Sequence, residues 1–182
     1  MLSAVDLYLF GAIGIVFGGV IAFLLKAKPL KILFWSVFYV YIVVVLGLTL
    51  FPIPYQGAEL FDSVPNNFIP FKTIISTLQM GLTVTAFIQI AGNILIAAPY
   101  GVVLDLKMRK SNKIWLFLLP LLFPLVIELL QFIIGLVIGY NYRSVDIDDF
   151  ILNVLGGYLG ILFSKLFFKN YGDKIYNRLF SR

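Results

Sequence analysis

A chain of 182 residues with 61% hydrophobic and only 13% charged residues is too apolar to fold as a soluble domain of this size. It contains no cysteine and no histidine, which excludes disulfides, a thiol nucleophile, histidine-ligated zinc and a Ser-His-Asp relay. Any catalysis must therefore use carboxylates, amines, guanidinium groups or hydroxyls. The net charge is +5.

The hydropathy of the chain predicts an all-α membrane protein with five transmembrane helices. Each apolar segment is close to the ~20 residues that cross ~30 Å of hydrocarbon as a helix. The predicted spans cover residues 6–25, 32–51, 84–104, 114–138 and 147–168. We expect a single membrane domain over residues 1–182 and no soluble module.

The charges are unevenly distributed between the two sides of these spans. All of the 14 basic residues except Lys72 and Arg143 lie between spans 1 and 2, between spans 3 and 4, or at and beyond the end of span 5. All of the acidic residues except Asp105 and Asp173 lie on the other side. The positive-inside rule therefore predicts an external N-terminus and an internal C-terminus. The same rule explains the basic loops, so we expect no nucleic-acid partner.

The longest loop, residues 52–83, is external in this topology. Pro52 and Pro54 end the second span. Residues 71–80 mix apolar and polar residues but are too few to cross the membrane. They predict a short amphipathic helix that lies on the outer face or re-enters the membrane, because its apolar residues would otherwise face water.

Glycine pairs at a four-residue step occur in the first and last spans. Gly14 and Gly18 form one pair, and Gly156 and Gly160 form the other. Small residues at this spacing let helix backbones approach closely in lipid. We therefore interpret both pairs as packing positions.

The segment from Glu128 to Asn153 is the most informative one about function. A charged side chain at the centre of a span costs about 2.5–3.5 kcal/mol on insertion scales, so it requires a partner or a polar cavity. Gln131 shares a helix face with Glu128, and the start of span 5 carries a stripe at Asp146, Asp149 and Asn153. Because the connection 139–143 is short, spans 4 and 5 are antiparallel neighbours. We expect the two faces to meet in an outward-opening polar notch.

Further polar residues complete the predicted notch, and simpler interpretations compete. Arg143 would lie at its mouth and Asn93 at its floor, whereas Asp148 would point elsewhere. The aspartates can instead cap their own helix, and Asn93 and Asn153 can form interhelical hydrogen bonds worth about 0.6 kcal/mol each. Arg143 can simply neutralise an aspartate. Glu128 is the residue that these alternatives explain least.

Four motifs in this chain resemble the VanZ-like family. They are NFIPFKTI at 67–74, GNILIAAPYG at 92–101, IELLQ at 127–131 and RSVDIDDFILNVLGG at 143–157. The resemblance covers roughly residues 40–168, and Tyr142 departs from it by replacing a usual glycine. The family positions that it implies are Asn67, Pro70, Phe71, Gly92, Asn93, Pro99, Gly101, Glu128, Gln131, Arg143, Ser144, Asp146, Asp148, Asp149 and Asn153.

The family takes its name from low-level resistance to teicoplanin, a lipoglycopeptide antibiotic, in Gram-positive bacteria. The resemblance thus implies a cell-envelope protein of the bacterial cytoplasmic membrane. Our leading hypothesis is that it binds or modifies an amphiphilic envelope ligand or the lipoglycopeptide, with membrane lipids as further partners. The expected ligand-binding residues are Asn67, Asn93, Glu128, Gln131, Arg143, Ser144, Asp146, Asp149 and Asn153.

Two other classes of function remain open. The first is an intramembrane hydrolase or transferase on lipid-linked sugars, with Glu128, Asp146 and Asp149 as candidate acid–base catalysts. We expect no cofactor and no metal site, although clustered acids of this kind could hold Mg²⁺ or Ca²⁺. The second is a small proton-coupled transporter with Glu128 as the proton site. Five spans are few for a transporter, so that function would call for a homo-oligomer.

Overall fold

The structure is a computed structural model that describes residues 1–55, 62–81 and 83–180. Within these ranges the chain forms seven α-helices. They are α1 (Ala4–Leu24), α2 (Pro29–Leu50), α3 (Lys72–Gln79), α4 (Val84–Met108), α5 (Ile114–Ile138), α6 (Ile147–Phe167) and α7 (Gly172–Leu179). Five of them, α1, α2, α4, α5 and α6, are long and apolar enough to cross a membrane. The all-α prediction with five spans is confirmed, and the chain is a multi-pass membrane protein.

The ends of the spans differ from the predicted ones by a few residues. α1 begins earlier because Ser3 and Asp6 form a capping box, in which each side chain accepts the other's backbone N–H. α2 begins at Pro29, a residue whose fixed φ suits the first helical position. α4 continues through Asp105 to Met108, four residues past the predicted end.

α4 and α6 form the tightest contact of the bundle. A Cβ atom placed on Gly101 would lie 2.0 Å from the carbonyl oxygen of Gly157, and one on Gly160 would lie 2.0 Å from that of Ala98. A Cβ on Gly156 would lie 2.2 Å from the carbonyl oxygen of Ile94, which also belongs to the α4 backbone. These distances are too short for any side chain, so the two backbones touch directly. The packing role predicted for Gly156 and Gly160 is confirmed.

The corresponding prediction for α1 is only partly right. A Cβ on Gly14 would meet the Tyr39 hydroxyl of α2 at 2.3 Å, but nothing lies within 4 Å of one on Gly18. α1 and α2 separate toward their connecting turn, where a pocket of about 330 Å³ includes Gly18 and Gly19. Gly14 is therefore a packing position and Gly18 is not.

Tyrosine hydroxyls form hydrogen bonds beside two of the prolines within the spans, Pro99 and Pro120. A proline removes the N–H that would bind the carbonyl four residues earlier, and its ring opens the helix there. Tyr41 donates to the carbonyl of Ile96, three residues before Pro99, at 2.6 Å. In the same way Tyr158 donates to the carbonyl three residues before Pro120, at 2.8 Å. Each neighbouring helix thus supplies a hydrogen bond beside the proline break.

We expect Tyr41→Phe to lower the free energy of unfolding by about 1 kcal/mol, because one partly buried hydrogen bond is lost without a change of shape. For a chain of this size that loss lowers the melting temperature by roughly 2–4 °C. Thermal unfolding in detergent would measure it. Tyr55→Phe is the matched control, since Tyr55 is exposed in a loop, and equal melting temperatures for the two variants would contradict the assignment.

One end of the bundle collects most of the basic residues, and we call it the basic end. It contains the α1–α2 turn, the α4–α5 connection and α7, a helix that the sequence analysis missed. Arg109 links the end of α4 to α7 and to the residues before α7, because its guanidinium donates to the Phe168 carbonyl at 3.2 Å and lies 3.7 Å from the Asp173 carboxylate. Phe180 packs edge-on against Phe34 of α2 at 5.4 Å. α7 is therefore docked on the bundle.

The opposite end, which we call the acidic end, contains residues 62–81 and the α5–α6 connection. Helix α3 is there, and its bounds confirm the amphipathic helix predicted for residues 71–80. Two residues used in the charge prediction, Glu59 and Arg182, lie outside the described ranges.

Candidate functional site

α5 and α6 meet at the acidic end through a glutamate. Gly139 ends α5 with a φ of +87°, a left-handed conformation that suits glycine, and the chain turns back toward α6. The Glu128 carboxylate accepts the backbone N–H of Asp146 at 3.2 Å and is 9% exposed. The predicted apposition of the two helices therefore places Glu128 directly against the start of α6.

Asp146 connects three segments of the acidic end. It is the N-cap of α6, since its carboxylate accepts the N–H of Asp148 at 2.8 Å. The same carboxylate accepts from the Asn67 amide at 2.8 Å and from the Thr73 hydroxyl at 2.7 Å. Asn67 also pairs through its backbone with residues 145 and 147. The capping interpretation is correct for Asp146, but the residue also ties the loop before α3 to α6.

Asp148 has a role that the sequence analysis did not foresee. Its side chain is fully buried, and it accepts the backbone N–H groups of Phe71, Thr73 and Ile74. These groups belong to the start of α3, where Phe71 is the N-cap with a φ of +65° and makes no cap with its own side chain. Asp148 therefore caps a different helix from its own. It faces this cluster and does not point away from it.

Asp149 lies between α4 and α6 with two asparagines. The Asn93 amide donates to the Asp149 carboxylate at 2.6 Å, and the Asn153 amide donates to the Asp149 carbonyl at 2.8 Å. The two asparagine side chains are 3.5 Å apart. The Asn153 Oδ1 atom is buried and receives no hydrogen bond from the described part of the chain, an arrangement that costs about 1–3 kcal/mol.

Gln131 and Arg143 do not join this cluster, contrary to the prediction. Gln131 donates to the Thr49 carbonyl at 2.9 Å, and Arg143 donates to the Phe51 carbonyl. Tyr142 donates to the Leu50 carbonyl at 3.0 Å. The last carbonyls of a helix have no partner inside it, and a cation at that end is favoured by the helix dipole. The three side chains therefore cap the C-terminus of α2.

Tyr142 and Ser144 complete the anchoring of the α5–α6 connection. Burial raises the pKa of Tyr142 and the neighbouring Arg143 lowers it, so the phenol stays protonated and donates at neutral pH. Ser144 donates to the Pro65 carbonyl at 2.8 Å. The tyrosine in place of the usual family glycine thus provides one more contact with α2.

The polar cluster is closed, whereas we predicted a notch open to the outside. Residues 66–74 lie over it, and the side chains of Asn67, Asp146 and Asn153 are all buried. No ion pair neutralises its four carboxylates within the described residues. Backbone N–H groups at the starts of α3 and α6 neutralise part of the negative charge of these carboxylates, since a helix N-terminus carries positive partial charge.

An apolar pocket of about 360 Å³ opens beside this cluster between α5 and α6. Glu128 and Asp146 lie in its wall, and the rest of the lining is apolar. The apolar residues are Phe68, Leu125, Leu129, Phe132, Val145, Ile147 and Phe150. This pocket was not predicted from the sequence, although Leu125, Leu129 and Phe132 follow the i, i+4, i+7 spacing of one helix face.

The four carboxylates of the cluster differ in the hydrogen-bond donors that they bind. In the described ranges no group of three or more Asp or Glu side chains is arranged to hold a metal ion. Asp146 and Asp148 each accept three hydrogen bonds from protein donors. Glu128 and Asp149 each accept a single one from the described residues, so both keep capacity for a ligand, and of these two only Glu128 lines the apolar pocket.

These features define a helical membrane protein with five spans that buries acids and amides where its last three spans meet. The VanZ/LLP1 family model matches residues 38–168, and the chain belongs to this family. Protein VanZ of Enterococcus faecium is 27% identical over 151 residues, which are 82% of this chain and 84% of that protein. Comparison with solved structures finds no match.

Proposed function

We propose that this protein binds an amphiphilic cell-envelope ligand at the acidic end, in the manner expected of a protein linked to teicoplanin resistance. The observation that carries the proposal is the pocket between α5 and α6, in which apolar walls meet Glu128 and Asp146. Its volume of about 360 Å³ falls within the range of ligand pockets, about 300–1,000 Å³. An acyl chain fits the apolar walls, and we place the hydroxyl or amide donors of the ligand beside Glu128, a buried residue of the pocket lining.

Glu128 is the residue that we expect to recognise the polar part of the ligand. A carboxyl group keeps acceptor capacity in either protonation state, and the Asp146 N–H occupies one of the acceptor positions on Glu128. The sugar hydroxyls and amides of a lipoglycopeptide or a lipid-linked sugar are donors of the required kind. Asn67 and Asp148 act indirectly, because they hold the segment that carries Phe68 against the pocket.

The proposed site lies on the outer side of the bacterial cytoplasmic membrane, with the N-terminus outside and the C-terminus inside. This orientation is supported by the basic residues of the α1–α2 turn, the α4–α5 connection and α7, all of which lie at the other end of the bundle. A ligand from the envelope would reach the pocket from the outer leaflet.

A bulky residue in the pocket tests the proposal. We expect Leu129→Trp to weaken teicoplanin binding to the purified protein by about tenfold or more, because each excluded methylene group loses about 0.8 kcal/mol. Val126→Trp is the matched control, since Val126 is one turn away, faces outward and does not line the pocket. Isothermal titration in detergent would measure both affinities, and deacylated teicoplanin should bind weakly to all forms.

Glu128→Gln separates the two parts of the proposed ligand. It should weaken teicoplanin binding while leaving any binding of a simple acyl chain unchanged. Equal teicoplanin affinity in Leu129→Trp and Val126→Trp would reject the pocket as the site. An effect of Leu129→Trp without one of Glu128→Gln would keep the pocket and reject the carboxylate as the recognition group.

A further inference from the structure

A second pocket lies at the basic end, far from the site described above. Its volume is about 560 Å³, and α4, the α4–α5 connection, α5 and α6 all contribute to it. Its cationic lining residues are Arg109, Lys113, Lys165 and Lys169. Four positive side chains from three parts of the chain therefore line one cavity between spanning helices.

The charge of this pocket is only partly compensated. Arg109 lies 3.6 Å from the buried Asp105 carboxylate and also contacts Asp173, so its charge is neutralised within the protein. In the described residues Lys113, Lys165 and Lys169 form no ion pair. The pocket therefore keeps an excess of positive charge and suits an anion with more than one negatively charged oxygen.

Apart from the cations, Asp105, Ser111 and Tyr158, the lining of the pocket is apolar. Leu116 and Phe117 of α5 and Ile161 of α6 line it below the cations. Phe117 is 58% exposed, on a surface that faces lipid in a spanning helix. A free phosphate would contact the cations and leave these walls unused. A phospholipid would use both, with its phosphate among the lysines and its acyl chains along the α5–α6 surface.

We infer that this pocket is a binding site for the phosphate headgroup of an anionic phospholipid. Basic pockets between transmembrane helices on the cytoplasmic side bind such headgroups, and the charge distribution predicts that this end is cytoplasmic. Arg109 has a structural task, because its guanidinium packs against Gly172 and binds the Phe168 carbonyl. The three lysines without ion pairs hold the lipid.

The chain offers an internal reporter for this site. Trp115 lies in the first turn of α5 between Lys113 and Leu116, and it is 47% exposed. With Trp35→Phe as background, Trp115 is the sole tryptophan of the chain. Titration of the purified full-length protein with brominated phosphatidylglycerol, with brominated phosphatidylcholine as reference, measures lipid affinity at this position by fluorescence quenching.

We expect tighter binding of phosphatidylglycerol than of phosphatidylcholine, and a loss of this preference in the double variant Lys165→Gln, Lys169→Gln. Each lysine near a headgroup contributes roughly fivefold to affinity. The control is Lys26→Gln, Lys28→Gln, which removes the same charge from the same end but outside the pocket. It should keep the preference.

Three outcomes would overturn the inference. One is an unchanged preference in the pocket variant, and another is an equal loss in both double variants, which would indicate general surface electrostatics. The third is displacement of the lipid by millimolar inorganic phosphate, which would identify a site for the free anion. Matching melting curves of both double variants with the parent exclude unfolding as the cause of any change.

Discussion

Replacing Gly101 by alanine should destabilise this protein more than any other single methyl addition to α4. The new Cβ would lie 2.0 Å from the Gly157 carbonyl oxygen and 2.9 Å from its carbon. Both atoms belong to the backbone of α6, so no side-chain rotation can relieve the contact and the two helices must move apart. We expect a loss of about 3 kcal/mol, or roughly 10 °C in melting temperature.

The same helix supplies the control for this prediction. Nothing lies within 4 Å of a Cβ placed on Gly92, so Gly92→Ala should change the stability by less than about 0.5 kcal/mol. Gly157→Ala should fall between the two, because its Cβ would meet the Pro120 side chain at 3.1 Å. Thermal unfolding in one detergent gives the order. Equal melting temperatures for Gly101→Ala and Gly92→Ala would show that α4 and α6 are not in backbone contact.

The spans could be predicted from the sequence because their signal is local. Twenty apolar residues in lipid have few alternatives to a helix, and Gly156 and Gly160 indicate close packing through spacing alone. Helix α7 was missed because its signal, Ile175 and Leu179 on one face, is short and interrupted by charges. Its contacts with Arg109 and Phe34 are long-range, and spacing in the sequence does not reveal them.

The candidate site was predicted in part. The meeting of Glu128 with Asp146, and of Asn93 with Asp149, follows from helix periodicity and the short α5–α6 connection. The capping of α2 by Gln131 depends on where α2 ends, and the periodicity of α5 gives no information about that position. The closed cover of the cluster likewise depends on residues 66–74, which approach it from far along the sequence.

Asp148 is the other residue with a large expected effect. Asp148→Ala removes the acceptor of three N–H groups at the start of α3, and hydrogen bonds to a charged group are worth about 1.5–3 kcal/mol each. Because α3 makes few other contacts with the bundle, we expect it to open locally while the spans stay folded. Hydrogen exchange at Thr73 and Ile74 should accelerate by roughly 100-fold.

Asp149→Ala is the control, because it removes a neighbouring carboxylate that binds Asn93 and not α3. Asp149→Ala should leave hydrogen exchange in α3 unchanged. Equal acceleration in both variants would show that the loss of negative charge, and not the loss of the cap, causes the effect. Release of α3 also frees Phe68, the part of the cover that lines the apolar pocket. Asp148→Ala should therefore weaken the proposed binding of teicoplanin although Asp148 does not line the pocket, which makes the cap of α3 a condition for the proposed site.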